Sequence, residues 1–245
     1  METISITNQK GGTGKSTTAL ALGAALQKKG HRVLFIDLDA QGNLTYALGA
    51  TGLNTLNAME LLEGRAQAGK IQGNIIASTP ELAAAEKVLN KTGKEYKLKE
   101  ALQSIKPLYD YIIIDTPPSM GILTINALTA SDSVIIPAQA DIFSLQGITQ
   151  IKETIDAVRE YCNKALKVKG IVLTRFNGRA IISKDLADVL KAEADKLGTK
   201  LFNTKIRECT ALKEAQASQQ DIFTYAPASN GASDYMQLTK EVLKA

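Results

Sequence analysis

The chain has 245 residues, 44% hydrophobic and 22% charged, which allows one large α/β core and excludes a disordered chain. It opens METISITNQKGG, with no basic start and no long apolar run, and never approaches the roughly 18 consecutive apolar residues of a membrane span, so a cytoplasmic protein is expected. The net charge of +4 is uneven: residues 1–150 carry 13 basic and 13 acidic side chains, whereas 151–245 carry 16 and 12. That surplus is a weak pointer to an anionic partner, and a solvated basic face is its more ordinary explanation. The two cysteines, Cys162 and Cys209, match no metal-ligand spacing and read as reduced thiols.

In chain order, Ile4–Thr7 is a strand that runs straight into a glycine-rich turn, and Thr17–Lys29 has helical apolar spacing that stops at Gly30. Val33–Ile36 and Tyr111–Ile114 read as buried strands, each ending in aspartate, and Ser133–Ile136 and Gly170–Thr174 follow with helices around them. Continuous apolar strands separated by helices predict a mostly parallel twisted sheet with helices on both faces. Residues 50–107 are more polar and are broken by Gly64, Gly69, Gly73 and Gly93. They read as a helical insertion between two core strands, with Lys91–Lys106 as an exposed helix. No linker divides the chain, so a single domain over 1–245 is expected. His31, the only histidine, lies in the turn Gly30–Arg32 and is expected to be exposed and without a role.

The strongest chemical signal is Lys10-Gly-Gly-Thr-Gly-Lys-Ser-Thr17 between a strand and a helix. Glycines let consecutive N–H groups point at phosphate oxygens, and the helix that follows adds the positive end of its dipole. Lys15 is placed to reach the β- and γ-phosphates, Ser16 offers a hydroxyl to Mg²⁺, and Thr17 reaches for the α-phosphate. The strict phosphate-loop pattern asks for glycine where Gln9 stands; instead there are Gly11-Gly12 and an extra lysine, Lys10. Asp115, at the carboxyl end of a buried strand beside this loop, suits Mg²⁺ directly or through water. Asp37-Leu-Asp39-Ala-Gln-Gly-Asn43 suits a segment that senses the γ-phosphate, with Asp39 orienting the attacking water.

These residues resemble the deviant Walker A ATPases, and within them the ParA/Soj-type DNA-partition ATPases. The resemblance runs over most of the chain: NQKGGTGKST at 8–17, FIDLDAQGN at 35–43, YIIIDTPPS at 111–119, IPAQADIFSLQG at 136–147, IRECTALKEAQ at 206–216 and APASNGASDYMQL at 226–238. It implies an ATP-bound sandwich homodimer in which Lys10, Gly11, Gly12, Thr13, Gly14, Lys15, Ser16 and Thr17 hold the phosphates. Lys10 would cross to the partner's nucleotide, Lys15 would act in cis, and Asp39, with Ser16 and Asp115, would lie around the metal and its water. It further implies non-specific DNA binding by the ATP dimer and a ParB-type partner that stimulates hydrolysis. Asn177 and the chain at Arg207–Cys209 are the candidates for adenine. Arg175, Arg179, Lys205, Arg207 and Lys213 are the basic candidates for DNA phosphate.

Several positions depart from the family's pattern. Ala40 stands where proline is frequent, Asp141 where glutamate is common, and Arg207-Glu208 and Ala211 where relatives carry a proline-arginine step and a further arginine. Glu208 would repel phosphate, which puts the DNA contacts in doubt. The alternative reading is a MinD-type membrane-associated ATPase, which needs a basic-aromatic amphipathic tail. The tail here has no aromatic residue after Tyr235, and Leu238, Val242 and Leu243 are expected to dock on the core. An iron–sulfur reductase would need cysteines placed to share a cluster, and a capsule-type tyrosine kinase would need a tyrosine-rich tail.

Overall fold

The computed structural model describes residues 1–65, 68–178 and 181–244, and the side chains of 142, 143, 145, 181–185 and 187 lie outside that description. Seven strands are described: β1 (Glu2–Ile6), β2 (Val33–Asp37), β3 (Ile75–Ile76), β4 (Tyr111–Asp115), β5 (Ser133–Ala138), β6 (Lys167–Phe176) and β7 (Leu201–Arg207). They form one sheet in the order β3-β2-β4-β1-β5-β6-β7, and every pairing is parallel. The helices are α1 (Lys15–Lys28), α2 (Asn43–Ala47), α3 (Ala58–Leu62), α4 (Ala85–Val88), α5 (Lys97–Ala101), α6 (Ile122–Ala130), α7 (Ile142–Tyr161), α8 (Ile181–Lys196), α9 (Thr210–Ala217), α10 (Ile222–Tyr225) and α11 (Asn230–Val242).

The strands are apolar throughout because both faces of the sheet are covered. Side chains alternate between faces. Ile4, Ile6, Val33, Phe35 and Ile113 face the layer made by α1 and α11, whereas Leu34, Ile36, Ile112 and Ile114 face the layer made by residues 56–105 and α6. Helix α1 packs closely on β2 because residue 23 is glycine: a Cβ there would stand 2.2 Å from the Phe35 ring.

The insertion differs from expectation in two respects. It contributes β3 to the sheet, paired with β2 through Ile75 and Ile76. Lys91–Lys106 is also not one exposed helix. It is a 3₁₀ turn at Lys94–Tyr96, then α5, then a second 3₁₀ turn at Leu102–Ser104, and Leu98, Leu102 and Ile105 are fully buried. Spacing of three and four residues turns these apolar side chains inward while the lysines take the outer face. At the other end, α11 spends its apolar face on the core, with Leu238 and Val242 fully buried, although Leu243 is exposed rather than docked. No described helix is long and apolar enough to cross a membrane. His31 is half-buried, its ring edge-on to Tyr111 at 5.1 Å between centroids. Cys162 ends α7 rather than lying within it, and both cysteines are free thiols.

Candidate functional site

Strand register builds the site. Ile6, Asp37 and Asp115 are the last residues of β1, β2 and β4, and Asp115 sits in register between the other two. The glycine loop leaves β1 at this edge, where ligands of open parallel sheets bind. Gly12 and Gly14 have φ of 75° and 84°, which side-chain-bearing residues rarely adopt, so these two glycines set the turn. Gly11 and Gly12 are exposed, and beyond their chain neighbours no described atom lies within 4 Å of where a Cβ on either would stand.

The loop is fastened from β5 and β6. The fully buried Asn8 donates to the Pro137 carbonyl at 2.7 Å and accepts from the Lys10 amide at 2.9 Å. Gln139 donates to the Gly12 carbonyl at 2.7 Å, and the Thr174 hydroxyl donates to the Thr13 carbonyl at 2.8 Å. None of these three fasteners was singled out from the sequence, because each joins segments more than 120 residues apart.

Lys15 is buried beneath the loop, with only a 3.4 Å contact from its ammonium to the Lys10 carbonyl. Burial pushes its pKa down, and Asp115 and Asp39 oppose that shift. Asp115 is fully buried, and among the described residues neither carboxylate oxygen has a hydrogen-bond partner. Burial and the adjacent Asp37 push its pKa well above the ordinary carboxylate range, against the nearby Ser16 hydroxyl and Lys15. A buried, unpartnered carboxylate beside an ammonium and a hydroxyl is a donor set suited to a hard cation. Asp37 is pushed up to about 6, first by burial, while hydrogen bonds from Thr45 and Asp39 favour its charged form. No group of three or more His, Cys, Asp or Glu side chains among the described residues forms a self-sufficient metal cage. A metal held here would therefore take part of its coordination from phosphate and water.

A cleft of about 480 Å³ opens above the loop, a volume within the range of small-molecule sites. Lys15, Ser16, Thr17 and Asp39 line one side, and Arg175, Arg207, Cys209 and Leu212 line the other. A larger cavity of about 880 Å³ lies in the insertion among Leu62, Lys91 and Ala101, away from the loop. The far wall of the cleft is stiff. The Arg207 guanidinium makes two bonds to Asp234, at 2.6 and 3.0 Å, and its amide makes a third at 3.0 Å. Gln216 donates to the Thr17 hydroxyl at 3.0 Å, and the buried Tyr235 hydroxyl pairs with that of Thr18 at 3.1 Å.

The sequence-predicted residues therefore divide. Gly11, Gly12, Gly14, Lys15, Ser16, Thr17, Asp39, Arg207 and Cys209 line one cleft. Asp115 lies below its floor, and Thr13 is buried in the loop. Asn177, proposed for adenine, is exposed and is not part of the cleft lining. Lys10 does not point across open space: its ammonium is 2.5 Å from Asp141 of the same chain, a residue that also caps α7 by accepting from the Ser144 amide at 2.8 Å. Of the basic candidates, Arg175 lies 3.2 Å and Lys213 3.8 Å from Glu208, and Lys205 stacks over the Phe176 ring. Glu208 thus acts as a counter-ion to these side chains. Arg179 lies outside the described residues.

A family model described as an AAA domain matches residues 1–168. The sporulation initiation inhibitor protein Soj of Bacillus subtilis is 40% identical over 98% of this chain and 97% of its own. The chromosome partitioning protein ParA of Myxococcus xanthus is 38% identical over 98% of this chain and 87% of its own. Among solved structures, cobyrinic acid a,c-diamide synthase from Mycobacterium smegmatis, with bound ATP analog and magnesium, aligns with a TM-score of 0.84 at 31% identity. That alignment covers 100% of this chain and 95% of that one. The glycine loop between β1 and α1, with aspartates at the ends of β2 and β4, is thus matched by full-length likeness to partition proteins: the chain belongs to the Soj/ParA family of P-loop ATPases.

Proposed function

We propose that this chain is an ATP-driven DNA-partition switch that alternates between a monomer and a nucleotide-bridged homodimer on the nucleoid. The observation that carries the reading is the arrangement at one sheet edge: Lys15 and the unpartnered Asp115 lie under the loop, Asp39 lies at the cleft, and a second loop lysine is held aside on Asp141. In this reading the loop amides and Lys15 bind the β- and γ-phosphates, and Thr17 and the chain at Arg207–Cys209 flank the rest of the nucleotide. Ser16 and Asp115 would hold Mg²⁺, which when bound neutralises charge on the phosphate oxygens. Asp39 orients the water. Lys10 supplies a cation in trans to the partner's nucleotide, where negative charge develops.

Two pairings bear on the rest of the cycle. Lys10 must leave Asp141 before it can serve a partner's site, so the lone chain is held short of a complete site. Arg175 and Lys213 are tied to Glu208 and become available to phosphate when that pairing loosens. DNA binding is expected to be weak in the monomer, stronger in the ATP dimer and independent of base sequence, with a ParB-type protein stimulating hydrolysis. Co-sedimentation with DNA at two salt concentrations, with ATP, ADP or no nucleotide, tests this. ATP-selective, salt-sensitive binding is expected, and binding indifferent to nucleotide refutes it.

A further inference from the structure

Asp39 is held in place by a residue of the insertion. The Ser78 hydroxyl donates to the Asp39 carbonyl at 2.5 Å, and the Ser78 amide donates to the Thr45 hydroxyl at 2.8 Å. Thr45 in turn donates to Asp37 from both its hydroxyl and its amide, each at 2.8 Å, and Asp37 also accepts from the Asp39 amide at 3.1 Å. Both peptide groups of Asp39 are therefore fixed, the N–H by the end of β2 and the C=O by Ser78 together with the Gly42 amide at 2.9 Å. Its carboxylate accepts from the Gln41 amide through Oδ1, while Oδ2 has no bond among the described residues and the side chain lines the nucleotide cleft.

Ser78 stands shortly after a strand of only two residues at this sheet edge. Ile75 and Ile76 pair with Phe35 and Ile36 of β2, which sets Ser78 just beyond the strand, against the switch segment. Its neighbour Ala77 accepts from the Ala58 amide at 2.8 Å and donates to the Leu56 carbonyl at 3.3 Å. The end of β3 is thereby joined to the start of α3, and a shift of the insertion would reach the Asp39 peptide through one side chain. A cleft of about 510 Å³ lies on the other side of this segment, between Gln41, Tyr46 and Thr79.

We propose that Ser78 is a positioning residue for ATP hydrolysis: it latches the switch segment to the insertion, so that Asp39 stands where water must be held. This rests on the reading of Asp39 as the water-orienting residue. The test measures single-turnover hydrolysis of saturating Mg-ATP, and Mg-ATP affinity by equilibrium binding, for the full chain carrying S78A, S78T or D39A. S78A is expected to slow hydrolysis by about tenfold, since misplacing a positioned group by a fraction of an ångström costs on that order, with affinity unchanged within about twofold. S78T, which keeps the hydroxyl, is expected to restore the rate to within about threefold. Hydrolysis by S78A at the parental rate while D39A is inactive overturns the latch alone. Parental hydrolysis by D39A overturns the reading of Asp39 and the latch with it. A loss of affinity in S78A that matches its loss of rate, or no rescue by S78T, assigns Ser78 to folding and also overturns the proposal.

Discussion

Asp141→Asn isolates the pairing that keeps Lys10 aside. Asparagine caps helices as well as aspartate does, so the bond to the Ser144 amide and the start of α7 should survive while the charge is lost. The pair is partly buried, with side chains 26% and 32% exposed, which places its strength near the upper end for surface ion pairs, about 1 kcal/mol. In the proposed dimer both subunits release Lys10 from Asp141, so about 2 kcal/mol is recovered, and the dimer dissociation constant should fall by about 30-fold. Burial works against ionisation of Asp141, yet Lys10 and the Ser144 amide hold its pKa below the ordinary carboxylate range. The contribution of the pair is therefore fully present at neutral pH and is lost only as pH falls through that lowered value, so the effect of D141N should be constant between about pH 6 and 8. Sedimentation equilibrium of D141N with a non-hydrolysable ATP analogue reads the constant directly. A value within about threefold of the parent chain, or weaker dimerisation, would refute the account of Lys10 as a sequestered trans-acting cation.

Asp115→Asn should stabilise the nucleotide-free chain at pH 7.5 by about 1 kcal/mol or more, roughly 2–4 °C in Tm, because it removes a buried, unpartnered charge. Burial raises the pKa of Asp115, so the folded chain keeps its proton to higher pH than the unfolded one, and the Tm gap should close on acidification. The same variant should lose most of its stabilisation by Mg-ATP, and differential scanning calorimetry with and without ligand reads both effects. Gly23→Ala should lower Tm by about 2–8 °C through overpacking against Phe35, with nucleotide affinity retained in the folded fraction. Glu208→Gln removes the counter-ion of Arg175 and Lys213 and should tighten the proposed ATP-dependent DNA binding, steepening its salt dependence by about one phosphate contact in a log–log plot.

The core strands and the glycine loop were legible because their signals are local. Four uninterrupted apolar runs, two of them ending in aspartate, and one loop of fixed spacing are enough to place Lys15, Asp37 and Asp115 at one sheet edge. Strand β7 was missed although Phe202, Thr204 and Ile206 turn inward with period two, because Asn203, Lys205 and Arg207 dilute its apolar character. The helix expected over Lys91–Lys106 failed for the converse reason. The many lysines of this stretch mask the three- and four-residue spacing of Leu98, Leu102 and Ile105, which bury in the cluster on that face of the sheet. The fasteners of the site were out of reach: Asn8 on Pro137 and Arg207 on Asp234 are pairings across folded distance, with no signature in either segment alone. Asp141 was noticed as a departure from the family's glutamate. Only the structure shows that its shorter carboxylate both caps a helix and holds Lys10.

The distribution of these fasteners determines where the molecule can change. The loop backbone is tied to β5 and β6 through Asn8, Gln139 and Thr174, and the far wall is tied through the bidentate Arg207–Asp234 pair to α11, whose apolar face is committed to the core. Neither wall can shift without breaking several bonds at once. Two further parts of the site are held through side-chain charge or hydroxyl contacts. One is the Lys10 side chain, which pairs with Asp141. The other is the Asp39 peptide, whose carbonyl accepts from the Ser78 hydroxyl of the insertion. A charged ligand in the cleft acts most strongly on these two, because the first answers to charge and the second carries Asp39 on the cleft wall. In the proposed cycle the sheet need not deform, since exchanging one ion pair and one hydroxyl latch would alter both the proposed dimer surface and the proposed water site.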